Sequence, residues 1–486
     1  MAKTKLIMKV LLINPPYINF EGMKESSGQI VPFNLAYLAA YLREKNNCLI
    51  KILDTEALSL DYSKIKQYLA KEKPDIIGFT CLSPTINHVF KICQIIKRDL
   101  KLNSSIILGG VHPTIFPKET IKNPDIDFVV IGEGEVTFFE LVKALQEKRN
   151  NFENINGLYY KKGNQIINTP ARELISDLDS IPFPARNLFN LNLYHSAPTK
   201  KLTAEQCSPI LTSRGCAFDC IHCVSKSIWQ RRIRYRSSEN IVSEIEECIN
   251  NYNIKEFNIL DDNFTINESR AVEFCQKVIK KKLPIAWICF SRADGITDEL
   301  AKIMAQAGCK KISLGLESGS QKILNLMRKQ ITIEQGKKAV EIIRKNKILA
   351  HASFMLGNIK ETKETIKETI DFAKSLDLDN VSFFITCPVP GSDLYYYAKD
   401  NGFINDKTSW EMFAPLSNTP PVLAQNNLSQ NDLIYWQKKA FREFYFRPKY
   451  IYRQLRQIRS WEEIKTIFEG VKILLRILFK PRTKTT

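Results

Sequence analysis

No apolar run in this chain is long enough to cross a bilayer, which excludes a conventional spanning helix. The amino terminus also lacks a small-residue cleavage site. Its basic head and apolar stretch, Met1 to Ile13, superficially match a secretory signal, but Lys9 breaks the run and Pro15 and Pro16 follow at once. That segment reads as a first buried strand. Without a signal, the twelve cysteines in 486 residues do not argue for disulfides. Thiols destined for a metal need a reducing compartment, so the cytoplasm is the expectation. Strong periodicity is missing from 150 to 201, where Pro170, Pro182, Pro184 and Pro198 punctuate the chain. Apolar residues persist through it, so it reads as a linker rather than as disorder.

What is present is ordinary in bulk: 44% hydrophobic and 25% charged residues, enough for two or three domains with their own cores. The net charge is +18, and the segment from Arg442 to Thr486 holds twelve Lys and Arg against four Glu. Such a balance permits nucleic acid, an anionic membrane surface or an acidic small molecule as partner, and selects none of them.

The most informative feature is the run Arg-Gly-Cys-Ala-Phe-Asp-Cys-Ile-His-Cys, which places Cys216, Cys220 and Cys223 at C-x3-C-x2-C spacing. Three thiolates on one loop can hold three irons of a [4Fe–4S] cube and leave the fourth open, whereas electron-transfer clusters use four cysteines. Zinc wants four ligands in a tetrahedron, and His222, adjacent to Cys223, would have to fold back to be the fourth. The triplet resembles the cluster loop of the radical S-adenosylmethionine (radical SAM) superfamily. In that family the open iron binds SAM, and one electron cleaves a C–S bond to give a 5′-deoxyadenosyl radical. The residue before the third cysteine is usually aromatic there; His222 departs from this.

From Lys9 to about Lys148 short apolar strands, at Val10–Ile13, Leu49–Leu53, Ile76–Phe79, Ile106–Leu108 and Phe128–Ile131, alternate with helical patterns. This argues a doubly wound parallel sheet. Four loops then fall on its carboxyl edge, where open α/β folds bind ligands: Asn14-Pro15-Pro16-Tyr17, Thr80-Cys81-Leu82-Ser83-Pro84, Gly109-Gly110-Val111-His112-Pro113 and Gly132-Glu133-Gly134-Glu135. The domain resembles the cobalamin-binding module found ahead of many radical SAM domains. The resemblance implies cobalamin contacts from Asn14, Pro15, Thr80, Ser83, Gly109, Gly110, His112 and Glu133. The Asp-x-His-x-x-Gly motif that ligates cobalt in other cobalamin modules is absent, so for His112 a loop-structuring role is weighed above ligation.

The second half alternates again, with strands near Ile210–Ser213, Phe257–Leu260, Ile285–Phe290, Lys311–Leu316, His351–Leu356 and Val381–Thr386. Six such units match the partial (β/α)6 barrel of radical SAM cores, whose chemistry sits at the strands' carboxyl ends. SAM presents an ammonium, a carboxylate and a ribose diol, so its site needs carboxylates and an arginine. Asp261 or Asp262, Glu317 and Arg292 stand at the right strand ends. Cys387, ending the sixth strand, reads as a quiet thiol, and the other eight cysteines show no metal spacing.

The expected organisation is therefore a Rossmann-like cobalamin domain over 1–150, a linker over 151–201, a barrel over 202–405 and a helical region over 406–486. Trp410 to Tyr452 should cap the barrel. Beyond it Ile464, Ile467, Phe468, Val471, Leu474, Leu475 and Leu478 form one apolar stripe on a basic helix. That stripe reads either as docking onto the protein body or as peripheral membrane contact. The resemblance implies a cobalamin-dependent radical SAM enzyme that methylates an unactivated carbon of a small or lipid-like molecule. Its cofactors are a [4Fe–4S] cluster, SAM and cobalamin, with a flavodoxin- or ferredoxin-type reductant and no nucleic-acid partner. A radical cyclase with the same two modules is the alternative. An RNA methylthiotransferase ranks lower because Cys48, Cys81 and Cys93 form no second cluster, and a non-catalytic sensor ranks lower because the triplet is intact.

Overall fold

The computed structural model describes residues 7–17, 28–197, 202, 206–405, 407–414, 422–424, 428–457 and 461–479. Pro198, counted above among the linker prolines, lies outside them. The chain divides into two compact units, the first formed mainly by Val31–Leu193 and the second mainly by Gln230–Thr486 together with Tyr194–Lys226.

The first unit is built on strands β1 (Lys9–Asn14), β2 (Leu49–Asp54), β3 (Ile76–Thr80), β4 (Ser105–Gly109) and β5 (Phe128–Val130), all parallel, in the order β2-β1-β3-β4-β5. Val10, Leu11, Leu12 and Ile13 are all buried, so both faces of β1 are covered, as helices on each side of a parallel sheet require. Within the stretch expected to be a linker, the sequence reads as a small hairpin at Gly157–Tyr160 and Gln165–Asn168, turning at Lys162-Gly163-Asn164, and it forms as β6 (Leu158–Lys162) and β7 (Gln165–Asn168). It does not belong to a free linker. β6 pairs antiparallel with β5 and extends the first sheet. Phe128, Phe152 and Tyr160 pack edge to face beneath it, and that buried aromatic cluster ties the stretch to the domain.

The second unit opens with β8 (Cys207–Ile210), then β9 (Ser213–Arg214) and β10 (Arg234–Tyr235), which form a separate antiparallel pair. Next come β11 (Glu256–Ile259), β12 (Ala286–Ser291), β13 (Cys309–Glu317), β14 (Leu349–Leu356) and β15 (Asn380–Ile385). The six-stranded parallel sheet runs β8-β11-β12-β13-β14-β15, each strand beside its sequence neighbour, which is the winding of a partial barrel. Along β14 residues alternate between buried and half-buried. Phe354, of the buried set, packs edge to face on Phe372 of the helix Lys363–Ser375, so His351, Ser353 and Met355 lie on the opposite face. The first barrel strand differs from the expected Ile210–Ser213: its ladder stops at Ile210, because Thr212 and Ser213 turn toward Asp261.

The helix Gln430–Tyr445 finishes the barrel edge. β15 is an edge strand, and its outward backbone groups need partners. The Tyr445 hydroxyl accepts from Val381 N and donates to Val381 O, while Gln437 Nε2 donates to Phe383 O at 2.7 Å.

Candidate active site

Strand order fixes where a ligand can sit in the first unit. The chain leaves β1 in one direction and β3 in the other, so the loops after these two strands part and leave a crevice. Asn14 Nδ2 donates to Asp54 Oδ1 at 2.9 Å, which holds the Asn14-Pro15 corner open. The Asn34 amide bonds the Thr80 hydroxyl across the mouth. Leu82, an apolar residue 46% exposed, stands on the lip between Thr80 and Ser83. Gly110 has φ +103°, and a Cβ there would lie 2.9 Å from both N and O of Cys81, so only glycine fits. Gly132, at φ +71°, faces open space within 4 Å. Glu133 is buried and accepts from Ile175 N at 2.7 Å. An apolar lip, open glycines and a floor of backbone are a cradle that suits a large flat macrocycle.

His112 does not present itself to a metal. It is buried, its Nδ1 lies 3.0 Å from Ser83 Oγ, and its amide donates to Cys81 O. Burial pulls its pKa down to about 4, so the ring is neutral and ties the β3 and β4 loops together.

In the second unit the cluster loop leaves β9 at Arg214, turns at Gly215 with φ +102° and carries Cys216, Cys220 and Cys223 as free thiols. Desolvation raises Cys216 and pushes Cys223 up to about 11. The Ser225 amide donates to Cys223 Sγ at 3.4 Å and partly offsets that. Among the described residues no group of three or more His, Cys, Asp or Glu gathers on a single metal ion. A cube takes one thiolate per iron corner, so sulfurs spread along one loop suit it.

Asp261 and Asp262, at the end of β11, are sharply different. Asp261 is buried. Its Oδ1 accepts from Thr212 N at 2.7 Å and Ser213 N at 3.1 Å, and its Oδ2 from Ser213 Oγ at 2.6 Å, the Thr212 hydroxyl and Arg270. With both oxygens engaged it cannot also hold SAM, which corrects the expectation for that residue. It anchors the chain as it enters the cluster loop. Asp262 is open to solvent and accepts one bond from Ser225 Oγ at 2.9 Å.

Arg292 lies buried with its guanidinium stacked 3.5 Å over the ring of Phe218, inside the cluster loop. Asp294 takes Nε and Nη2 at 3.0 and 2.9 Å, yet Nη1 is buried with no partner, a donor left for a ligand. Glu317, at φ +64° where β13 bulges, pairs with Lys329 at 2.9 Å, and both are buried. Burial works against its charge, but the Lys329 ammonium outweighs that and holds the Glu317 carboxyl below its ordinary value. Cys387 is buried and its thiol is pushed up to about 12, consistent with an unreactive group. The sequence offered no signal for Lys329, one of 70 Lys and Arg, nor for Thr212, Ser213 and Arg270, whose role depends on Asp261.

The radical SAM superfamily model matches residues 210–373, and the B12 binding domain model matches residues 23–142. The chain is 33% identical over 476 residues to an uncharacterized methyltransferase of Pyrococcus horikoshii, covering 98% of this chain and 99% of that protein. The chain belongs to the cobalamin-binding radical SAM enzymes. A second member of this family, the anaerobic magnesium-protoporphyrin IX monomethyl ester cyclase of Rubrivivax gelatinosus, is 30% identical over 452 residues, covering 91% of this chain and 78% of the cyclase. The fold matches that of the radical SAM methyltransferase TsrM of Kitasatospora setae, solved with cobalamin and a [4Fe–4S] cluster, at a TM-score of 0.70 and 17% identity over 97% of this chain and 99% of that one. The α/β architecture of a parallel-sheet B12 module, a parallel-sheet radical SAM domain and terminal helices stands as expected. So does the cofactor set of a [4Fe–4S] cluster, SAM and cobalamin. A radical SAM enzyme of this kind needs a small-molecule substrate and a reductant.

Proposed function

We propose that this enzyme methylates an unactivated carbon of a small-molecule substrate. The observation that carries the reading is the methyltransferase relative matched over 99% of its length, joined to a three-thiol loop beside a free guanidinium nitrogen. When bound, the reduced cluster and SAM supply a 5′-deoxyadenosyl radical for hydrogen abstraction, and cobalamin supplies the methyl group. The chain's own residues hold and orient these groups. Cys216, Cys220 and Cys223 each take one iron corner. Asp262 receives the ammonium of SAM and Arg292 Nη1 its carboxylate, while Glu317 serves the site through Lys329. Asn14, Pro15, Thr80, Ser83, Gly109, Gly110 and Glu133 line the cobalamin crevice, with His112 bracing it.

Electrons come from a flavodoxin- or ferredoxin-type protein. The helix Trp461–Phe479 carries the outward apolar residues Ile464, Phe468, Val471 and Leu475 and gives the enzyme a peripheral hold on an anionic bilayer, which suits a lipid-like substrate.

The cyclase relative supports a second reading, oxidative ring closure at the same site. Turnover of methyl-deuterated SAM by the anaerobically reconstituted enzyme separates the two. Methylation gives S-adenosylhomocysteine, 5′-deoxyadenosine and a mass-shifted product; cyclisation gives deoxyadenosine without S-adenosylhomocysteine. Replacing any one of Cys216, Cys220 or Cys223 by Ala should drop bound iron well below about four per chain and abolish both products. Full iron in any of the three would remove the basis of the reading.

A further inference from the structure

The inward wall of the barrel at β14 and β15 carries chemistry that the cofactor contacts do not use. Phe354 and Phe383 stack on the covered face with ring centroids 5.5 Å apart, and Phe383 packs edge to face on Phe441 of the helix Gln430–Tyr445. Alternation therefore turns His351, Ser353 and Met355 of β14 and Ser382 and Phe384 of β15 into the barrel. All five are half-buried, whereas the residues between them are buried, so the reachable side of this wall is its inner side. Ser353 pairs with Ser382 and Met355 with Phe384 across the two strands. Phe290 of β12, also half-buried, shares that face: it pairs with Ser313, which in turn pairs with His351.

His351 Nε2 lies 3.1 Å from Ser382 Oγ, a side-chain hydrogen bond inside the barrel. The backbone ladder already joins the two strands from His351–Asn380 to Leu356–Ile385, so the sheet does not need this bond. A hydroxyl has one donor and two acceptor sites, and the bond uses one of the three. Whichever tautomer His351 adopts, Ser382 Oγ keeps hydrogen-bonding capacity on the inner side. Toward the mouth Met355 and Phe384 follow, a thioether and an aromatic ring that suit an apolar body. None of His351, Ser353, Met355, Ser382 and Phe384 is an acid, a lysine or an arginine. A phosphate ester or nucleotide would find no fixed counter-charge on this wall.

We propose that His351 and Ser382 bind an oxygen function (hydroxyl, carbonyl or carboxyl) of a substrate whose body is apolar, and so select the molecules this barrel turns over. A polar pair of this kind discriminates against an analogue that lacks the oxygen, because its own groups are then left unpaired. The inference rests on the proposed turnover of a small molecule in this barrel. If reconstituted wild type with SAM and reductant releases no more 5′-deoxyadenosine with an extract of the source cells than without it, that reading fails. If release rises with extract, the variants test His351 and Ser382 alone.

The test compares reconstituted full-length wild type, Ser382→Ala, His351→Phe and His351→Gln for iron content, SAM affinity by calorimetry and extract-dependent 5′-deoxyadenosine. Ser382→Ala, which removes only a hydroxyl, and His351→Phe should keep wild-type iron and SAM affinity. Both should need about tenfold more extract for half-maximal release, the scale of one lost hydrogen bond. His351→Gln, whose amide stands in for Nε2, should recover most of the loss. With the extract first partitioned between butanol and water, the stimulating activity should follow the butanol phase. The proposal is overturned if Ser382→Ala or His351→Phe matches wild type in half-maximal extract, or if His351→Gln is as impaired as His351→Phe. It is also overturned if these variants lose SAM affinity to the same degree, which assigns the pair to SAM, or if the activity stays with the aqueous nucleotides and phosphate esters.

Discussion

Two adjacent aspartates divide the labour at the cluster loop, and their difference is one of partners. Asp261 accepts from two backbone amides and two hydroxyls, so it shapes the loop before any cofactor arrives. Asp262 keeps an open oxygen edge. Asp261→Asn should therefore lower iron uptake on reconstitution, because an amide cannot accept at every one of those positions. Asp262→Asn should leave iron near four per chain and weaken SAM binding by about tenfold or more, the scale of one charged hydrogen bond. Calorimetric titration of SAM into both reconstituted variants checks this, and equal loss of iron in the two would contradict it.

Glu361, in the loop after β14, is a buried carboxyl with a different consequence. It is fully buried, accepts from Gly357 N at 2.5 Å and Asn358 N at 2.8 Å, and leaves Oε1 unpartnered. Desolvation pushes it up to about 7, well above the ordinary range of a glutamate. Below about pH 4.5 both folded and unfolded chains are protonated there. Between about 4.5 and 7 the unfolded chain loses its proton while the folded one keeps it, so stability falls by up to about 3 kcal/mol as pH rises, then levels off. Glu361→Gln mimics the protonated form. Its urea midpoints at pH 5 and pH 8 should differ less than those of wild type.

At the scale of elements, the strand-end loops work because glycine stands where nothing else fits. Gly110 and Gly132 both have positive φ, but a side chain at Gly110 strikes the Cys81 backbone while one at Gly132 meets nothing within 4 Å. Gly110→Ala should cost about 1–3 kcal/mol and strip cobalamin from the purified protein. Gly132→Ala should cost about 1 kcal/mol and retain most of it. Chemical denaturation and the cobalamin absorbance of purified protein measure both, and equal effects would mean that backbone strain alone is at work. Strand and helix alternation made most of these elements legible: β14 and β15 were expected within two residues of where they lie. The hairpin β6–β7 was also legible, but not its attachment to β5, since pairing partners leave no trace in a local pattern.

At the scale of the molecule, charge and exposed apolar surface coincide in the terminal helices. No helix among the described residues is long and apolar enough to cross a membrane. Yet on Trp461–Phe479 the residues Phe468 and Phe479 are 70% and 76% exposed, with Ile464, Val471 and Leu475 exposed on the same stripe. Leu474 and Leu478 are half-buried, so the stripe is shared between the protein and the outside. Against vesicles containing phosphatidylglycerol, the full-length enzyme should co-sediment, and it should do so less at high salt or with neutral vesicles. Phe468→Asp with Leu475→Asp should abolish this. Binding that ignores lipid charge would point to a protein partner for the stripe.

The amino-acid sequence by itself determined the spacing of three thiols, the two rounds of strand–helix alternation and the order of the crevice loops. All are local properties, set by side-chain period and by the few residues that permit sharp turns. Only the tertiary structure decided which aspartate is free, where His112 is buried, and that Lys329 pairs with Glu317. Those roles depend on which distant groups arrive as partners when the sheets close, and partnership across many residues is not written in any short stretch of chain.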